Sequence, residues 1–166
     1  FLLVKLITTL IPGKPEIIER GLKYIDDRLL ETPSIAFTQV KKEIARMGNL
    51  SLEVLQDSIS AFLDYDEQKD KMAKEKETVI NELARDITRY LAMLSRAPLS
   101  EDEYNAITDL VSTVNDMERV GDHAMNILEL AEFKNEQSLP FSNTAIEELV
   151  EMSSKVQETF DLAVYS

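Results

Sequence analysis

Apolar residues recur at intervals of three and four along most of this chain, which is the spacing of one face of an α-helix. The first stripe follows Thr32 and Pro33, which suit the N-cap and the first position of a helix that extends to about residue 63. Asp64 and Glu67 then have the form of a capping box, so they predict the start of a second helix. This second stripe stops before Pro98.

A third stripe starts at another capping box, Ser100 with Glu103, and runs to a polar stretch that begins at Lys134. Ser142 suits the N-cap of a fourth amphipathic segment. No window alternates strictly between apolar and polar residues, so strands are not expected. Long helices joined by short turns pack best beside their neighbours. The pattern therefore predicts an all-α protein, built as an antiparallel up-down helical bundle.

The residues before Thr32 form a leader with a different pattern. Phe1–Ile11 is mostly apolar, but a helix needs about 20 residues to cross the hydrocarbon of a membrane. Two interpretations stay open: a short amphipathic helix packed on its own domain, or the end of a transmembrane or interfacial helix. Closer to Thr32, apolar residues including Ile18, Leu22 and Ile25 again have helical spacing.

The composition argues against several classes of function. The 166 residues carry a formal net charge of −13, which repels phosphate backbones and argues against a nucleic-acid partner. The chain has no cysteine and one histidine, which excludes disulfides, thiolate zinc sites and a di-iron site built on two Glu-x-x-His motifs. No glycine-rich phosphate loop is present either. The sequence therefore predicts a protein that is not an enzyme.

Polar residues interrupt the apolar stripe of the third helix. Glu118 and Asp122 lie one turn apart, and Asn115 and Asn126 continue the row along the same side of the helix. Glu118 borders the stripe that should be buried. A buried carboxylate is costly without a partner, so this row requires a cation, an arginine or water.

The second helix offers a counterpart, because Glu77 and Asn81 are also one turn apart. If the two helices are antiparallel neighbours, these side chains can face Glu118 and Asp122 across a groove. Hard oxygen ligands of this kind suit magnesium, calcium, manganese or iron rather than zinc. The alternative is that Glu118 pairs with Arg119 or another basic residue and binds no metal.

Other polar positions have structural explanations. His123 lies beside the row; it is expected to form a hydrogen bond within the bundle, and a role as a metal ligand is the alternative. Gly121 costs about 1 kcal/mol in a helix relative to Ala, which suggests that a neighbouring helix packs closely there. The acid pair Glu53 and Asp57 is expected to face solvent.

The stretch from Asp116 to Ala124, with the sequence DMERVGDHA, closely resembles the signature of PhoU-like domains. Two upstream stretches, 27–36 and 42–47, resemble the segment that joins the membrane part of bacterial sodium/phosphate cotransporter family proteins to a C-terminal PhoU-like domain. Together the likeness covers most of residues 23–134.

The resemblance implies a division of the chain into three parts. Residues 1–31 would be a leader or juxtamembrane segment, 32–139 a PhoU-like three-helix repeat, and 140–166 the truncated first helix of a second repeat. Phe1–Ile11 would then be the end of the transporter's membrane portion.

The resemblance also implies metal ligands. In the family, Glu/Asp-x-x-x-Asp motifs bind iron or other divalent metals. Glu118 and Asp122 match this motif, whereas Asn81 replaces the second acid after Glu77. The predicted metal ligands are therefore Glu118, Asp122, Glu77, Asn81 and Asn115, with iron, manganese or magnesium as the ion.

The function implied is that of a regulatory domain of a sodium-dependent phosphate transporter, on the cytoplasmic side of the bacterial inner membrane. Its partner would be the transmembrane portion of the same chain, and a homo-oligomer stays open. Two alternatives are a stand-alone PhoU-type signalling protein acting on an ABC phosphate transporter, and a helical scaffold that binds no metal.

Overall fold

The structure, a computed structural model, describes residues 18–165. Within that range it contains helices and no strands, which confirms the predicted all-α class. A short 3-10 helix comes first, and four α-helices follow. In chain order these elements are the 3-10 helix Asp27–Glu31, α1 Pro33–Leu63, α2 Glu67–Leu94, α3 Glu101–Glu136 and α4 Asn143–Tyr165.

The beginnings of the helices follow their capping residues. Pro33 is the first residue of α1, as predicted, and Thr32 is at the N-cap, although its side chain forms no hydrogen bond to the first turn of α1. The capping box of Ser100 and Glu103 is confirmed at α3. Ser142 accepts a hydrogen bond from the backbone N–H of Ala145 at 3.1 Å, so it caps α4 as expected.

The predicted cap of α2 was wrong by two residues. Asp66, not Asp64, is the N-cap, and its carboxylate accepts hydrogen bonds from the N–H groups of Gln68 at 2.8 Å and Lys69 at 3.2 Å. Asp64 instead follows the last residue of α1. Only the residue directly before a helix can reach the free amides of its first turn, which is why Asp66 takes this role.

The helices alternate in direction around α1, which packs against all three others. Lys76 near the start of α2 lies 3.0 Å from Asp57 near the end of α1, so these two helices are antiparallel. Lys134 near the end of α3 donates a hydrogen bond to the carbonyl of Phe62 at 2.6 Å, so α3 runs parallel to α1. The up-down arrangement follows.

A continuous core fills the space between α1, α2 and α3. Its largest fully buried apolar side chains come from all three of these helices; they are Tyr90, Met47, Ile80, Leu83, Ile87, Leu91, Leu94, Leu128, Val40, Val54 and Val79. Each such side chain stabilises the fold by about 1.5–3 kcal/mol through loss of contact with water.

The described part of the leader before Asp27 is not helical, although its apolar residues have helical spacing. Residues 18–26 form no helix, and Gly21 has a φ of +74°, a conformation that suits glycine. Ile25 is nevertheless buried against the bundle. The predictions for Phe1–Ile11 lie outside the described residues. Between residues 18 and 165, no helix is long and apolar enough to cross a membrane.

Candidate functional site

The predicted ligands on α3 lie along the rim of the bundle. Glu118 is half-buried, while Asp122 and Asn115 are exposed. Their spacing places the two carboxylates one turn apart on one side of the helix. His123 is also exposed, so the expectation that it bonds within the bundle was wrong. The apolar positions Met117 and Ala124 occupy the buried face instead.

The predicted ligands on α2 bond to each other. The side-chain amide of Asn81 donates a hydrogen bond to Oε1 of Glu77 at 2.5 Å. Glu77 is half-buried and Asn81 is exposed. The amide thus satisfies one carboxylate oxygen of Glu77.

The contact between α2 and α3 determines how the predicted ligands on one helix are positioned relative to those on the other. Gly121 lies opposite Ile80, whose side chain approaches to 3.5 Å from the position a Cβ would occupy. Because the helices are antiparallel, Glu77 and Glu118 are displaced from this contact in opposite directions. Three residues on each side, at 1.5 Å per residue, separate them by about 9 Å along the bundle axis, whereas Asp122 is displaced in the same direction as Glu77 and lies only about 3 Å from its level.

No group of three or more His, Cys, Asp or Glu side chains that could hold a metal ion occurs in residues 18–165. Glu77, Glu118 and Asp122 are therefore not found as one cluster of three carboxylates. The predicted ligand set also includes the side-chain amides of Asn81 and Asn115, and it stays a prediction. Glu118 and Asp122 are its acidic pair on α3.

A buried lysine is the first polar feature that the sequence did not predict. Lys76 is 5% exposed, and its ammonium lies 3.0 Å from a carboxylate oxygen of Glu53 and 3.0 Å from one of Asp57. Burial disfavours its charged form, but the hydrogen bonds to the two carboxylates outweigh that effect and raise its pKa. Glu53 and Asp57 thus join α1 to α2 and are not simply a solvated pair.

The signal for Lys76 was present in the sequence. It lies three residues after Ala73 and four before Ile80, both of which are fully buried. A residue with this spacing is expected on the buried side of the helix. Charged residues of both signs surround it between Lys69 and Glu77, which favours a solvated face, and most of those neighbours are exposed.

A second network joins the start of α2 to the end of α3. The buried Asp70 accepts a hydrogen bond from Lys74 at 3.0 Å, and Lys74 also bonds to Glu132. These bonds to Glu132 and Asp70 raise the pKa of Lys74. The other oxygen of Asp70, Oδ1, has no hydrogen-bond partner among residues 18–165. The effect is to hold the two helix ends together.

The third network anchors the leader. Glu43 in α1 is fully buried, and its Oε2 accepts hydrogen bonds from the backbone N–H groups of Lys23 at 2.8 Å and Tyr24 at 2.7 Å. Arg46 donates to Oε1 of Glu43 at 2.6 Å and to the backbone carbonyl of Gly21 at 2.5 Å. These bonds fix the path of the leader where it meets the bundle. We name this set the leader clamp.

Comparison with known proteins locates a family match within this architecture. The family model described as PhoU domain matches residues 44–131, which extend from α1 to near the end of α3. A curated relative, the phosphate-specific transport system accessory protein PhoU homolog of Clostridium acetobutylicum, is 25% identical over 123 residues. That alignment covers 72% of this chain and 54% of the relative, so the chain spans about half the length of the protein it matches. No solved structure matches significantly.

Proposed function

The chain belongs to the PhoU domain family, and on this premise we propose that it is a non-enzymatic regulatory domain in the control of phosphate transport. The observation that carries the proposal is the family match over residues 44–131, which includes the DMERVGDHA stretch on α3. The name of the Clostridium relative, an accessory protein of a phosphate-specific transport system, supports the same role.

The finer proposal is that the domain regulates a sodium-dependent phosphate transporter to which it is fused. The resemblance of residues 27–36 and 42–47 to the joining segment of such transporters supports it. Glu43 and Arg46, the residues of α1 in the leader clamp, lie within the second of these stretches. Under this proposal the partner is the membrane part of the same chain, and the domain lies on the cytoplasmic side of the inner membrane.

The leader clamp supplies a physical route for this regulation. Glu43 and Arg46 bond to the backbone of the leader through both N–H and carbonyl groups, so the leader and α1 are held as one unit. A displacement of α1 would then move the segment that leads towards the transporter. The fused arrangement requires such a connection, whereas a protein that acts alone does not.

The second candidate is a stand-alone protein that acts on an ABC phosphate transporter. The name of the Clostridium relative favours it, since that protein is described as an accessory protein. The coding sequence upstream of Phe1 distinguishes the two. Several further apolar runs of about 20 residues are expected for the fused transporter, and none for the stand-alone protein.

Divalent-metal binding is a separate proposal that the regulatory role does not require. Glu118 and Asp122 are the ligand pair, one turn apart on α3, and two carboxylates with water are a common donor set for magnesium. Bound metal would add positive charge to a strongly acidic helix. A scaffold that binds no metal is the alternative, and metal analysis of protein purified without chelators separates the two.

The regulatory role is tested by deleting the coding region for residues 33–165 from the natural gene and following a phosphate-repressed reporter. We expect the reporter to lose its dependence on external phosphate. Restoring the intact sequence should restore that dependence. A reporter that responds to phosphate equally with and without the region would refute the role.

A further inference from the structure

The leader has the apolar pattern of an amphipathic helix, although it is not helical before Asp27. Ile18, Leu22, Ile25 and Leu29 follow one another at intervals of four, three and four residues, which is the spacing of one helix face. All four pack against the core of the bundle in the structure. The same apolar residues can therefore hold a helical leader on the bundle as well.

The backbone of the leader shows what takes the place of that helix. In an α-helix the N–H of Lys23 would donate to the carbonyl of Glu19, four residues before it. In the structure this N–H donates to Oε2 of Glu43 at 2.8 Å, and the carbonyl of Glu19 accepts a hydrogen bond from Arg46 at 3.1 Å. The ion pair of Glu43 and Arg46 thus binds both the donor and the acceptor of one helical hydrogen bond.

The leader clamp binds two further backbone groups in the same way. Glu43 also accepts from the N–H of Tyr24 at 2.7 Å, and Arg46 also donates to the carbonyl of Gly21 at 2.5 Å. In a helix that carbonyl would accept from the N–H of Ile25. Because these groups need partners when they leave water, the clamp and a helix are alternative ways to satisfy the same backbone.

Other features of the leader favour both forms. The carboxylate of Glu19 and the ammonium of Lys23 lie 2.6 Å apart, and a pair with this spacing also stabilises a helix. Gly21 favours the clamped form, because its φ of +74° suits glycine and glycine is a poor helix former. A pocket of about 230 Å³ lies beside Ile18 and Glu19, so this part of the leader has room to change its path.

We propose that residues 18–26 form a two-state switch, which the leader clamp holds without a helix and which becomes helical when the clamp opens. The helix would continue into Asp27–Glu31. The balance is set by Glu43 and Arg46, since only their withdrawal frees the backbone groups to bond to one another. Nine residues span about 14 Å as a helix and up to about 30 Å when extended, so the switch changes where the leader departs from the bundle. The two forms are a property of this chain and do not depend on the phosphate role proposed above.

The test measures Cα chemical shifts of residues 19–25 by NMR in the isotope-labelled whole chain. Gly21→Ala favours the helix, because alanine is the better helix former and disfavours the left-handed conformation. Gly21→Asn is the matched control, because asparagine tolerates that conformation. A Cβ at residue 21 would meet no atom within 4 Å in the described part of the chain, so neither substitution introduces a clash. Glu43→Met with Arg46→Met removes the clamp without leaving a buried charge.

We expect non-helical shifts at residues 19–25 for the native chain and for Gly21→Asn. Gly21→Ala alone should move these shifts part of the way towards those of α1. Gly21→Ala combined with Glu43→Met and Arg46→Met should bring them to helical values, while the shifts of α1 to α3 stay as in the native chain.

Random-coil shifts for the leader of the combined variant would overturn the proposal, because the released leader would then have no second form. Shifts equal to those of the native chain would overturn it too, because the clamp would then not be what prevents the helix. If the combined variant does not fold, the two variants at residue 21 decide the outcome. Equal leader shifts for Gly21→Ala and Gly21→Asn would overturn the proposal, and a move towards helical values in Gly21→Ala alone would support it.

Discussion

Arg46 neutralises the buried carboxylate of Glu43 from the same face of α1, with its Nε 2.6 Å from Oε1. The other oxygen of Glu43, Oε2, accepts hydrogen bonds from the backbone N–H groups of Lys23 and Tyr24. One ion pair within a helix thus fixes a neighbouring segment of chain that has no helix of its own. Because each carboxylate oxygen of Glu43 has a different partner, a substitution of Glu43 should affect both the ion pair and the hydrogen bonds to the leader.

Replacing Glu43 with Gln should destabilise the protein by roughly 3 kcal/mol, because breaking a buried pair leaves the remaining charge without its counterion. The amide keeps the size of the side chain, so the loss reports charge and hydrogen bonding. Urea unfolding measures it. Glu75→Gln, on an exposed position of α2, is the control and should stay within about 0.5 kcal/mol of the native chain. Equal midpoints for Glu43→Gln and the native chain would contradict the importance of the clamp.

The acids around Lys76 should matter more than the lysine itself. Replacing both Glu53 and Asp57 with Ala leaves a buried ammonium without these carboxylates and should cost roughly 3 kcal/mol. Lys76→Met keeps the volume and leaves two acids that reach solvent, so it should cost about 1 kcal/mol or less. Chemical denaturation of the variants tests this order, and the reverse order would contradict it.

The same network predicts a pH dependence. The pKa of Lys76 is raised in the folded state, so its contribution to stability is complete below the unfolded lysine pKa of about 10.4. It is lost as pH rises through the higher folded value. Comparing unfolding free energies of the native chain and Lys76→Met between pH 8 and 11 measures the effect. A difference that does not change with pH would mean that Lys76 is not held charged by its partners.

Gly121→Ala should be tolerated. A Cβ at this position would lie 3.5 Å from Cδ1 and 3.6 Å from Cγ2 of Ile80, which is ordinary van der Waals contact. Alanine also favours a helix by about 1 kcal/mol over glycine. Thermal unfolding should therefore show an unchanged or raised melting temperature for Gly121→Ala and a lowered one for the larger Gly121→Leu. A clear loss with Ala would indicate that α2 and α3 pack more closely.

The proposed ligand pair makes a prediction about manganese. Two carboxylates without a third hold a divalent ion weakly, so we expect a saturable rise in melting temperature with a midpoint of about 1 mM. Glu118→Ala with Asp122→Ala should abolish the rise. The pair Glu147→Ala with Glu151→Ala, also one turn apart but on α4, should retain it. No saturable rise in the native chain would reject the ligand assignment.

The limits of prediction from the sequence are visible at particular residues. The stripes predicted the helices, and Ser100, Glu103 and Ser142 predicted two caps, because these signals are local. Asp64 and Asp66 were confused because both have the right chemistry and only the end of α1 decides between them. The burial of Lys76 was missed because it lies in a run of charged residues, which favours exposure, although its spacing from the apolar residues of α2 favours burial.

The metal cluster could not be judged from the sequence for a different reason. Spacing along α2 and α3 shows which residues share a side of each helix, but the level at which the helices meet is set by Gly121 and Ile80. That register places Glu77 nearer to the level of Asp122 than to that of Glu118. The role of Glu43 was equally hidden, because it depends on the path of residues 19–24, which the helical spacing of the leader misrepresented.

The regulatory role is tested most directly by the initial rate of radiolabelled phosphate uptake in cells that carry the natural gene. Leu83→Asp, which places a charge in the core, should remove the folded domain, and Thr78→Ala on the exposed face of α2 is the control. We predict that cells with the native chain and with Thr78→Ala adjust uptake between phosphate-limited and phosphate-replete growth, whereas cells with Leu83→Asp do not. The same phosphate dependence of uptake in all three strains would contradict a role in the control of phosphate transport.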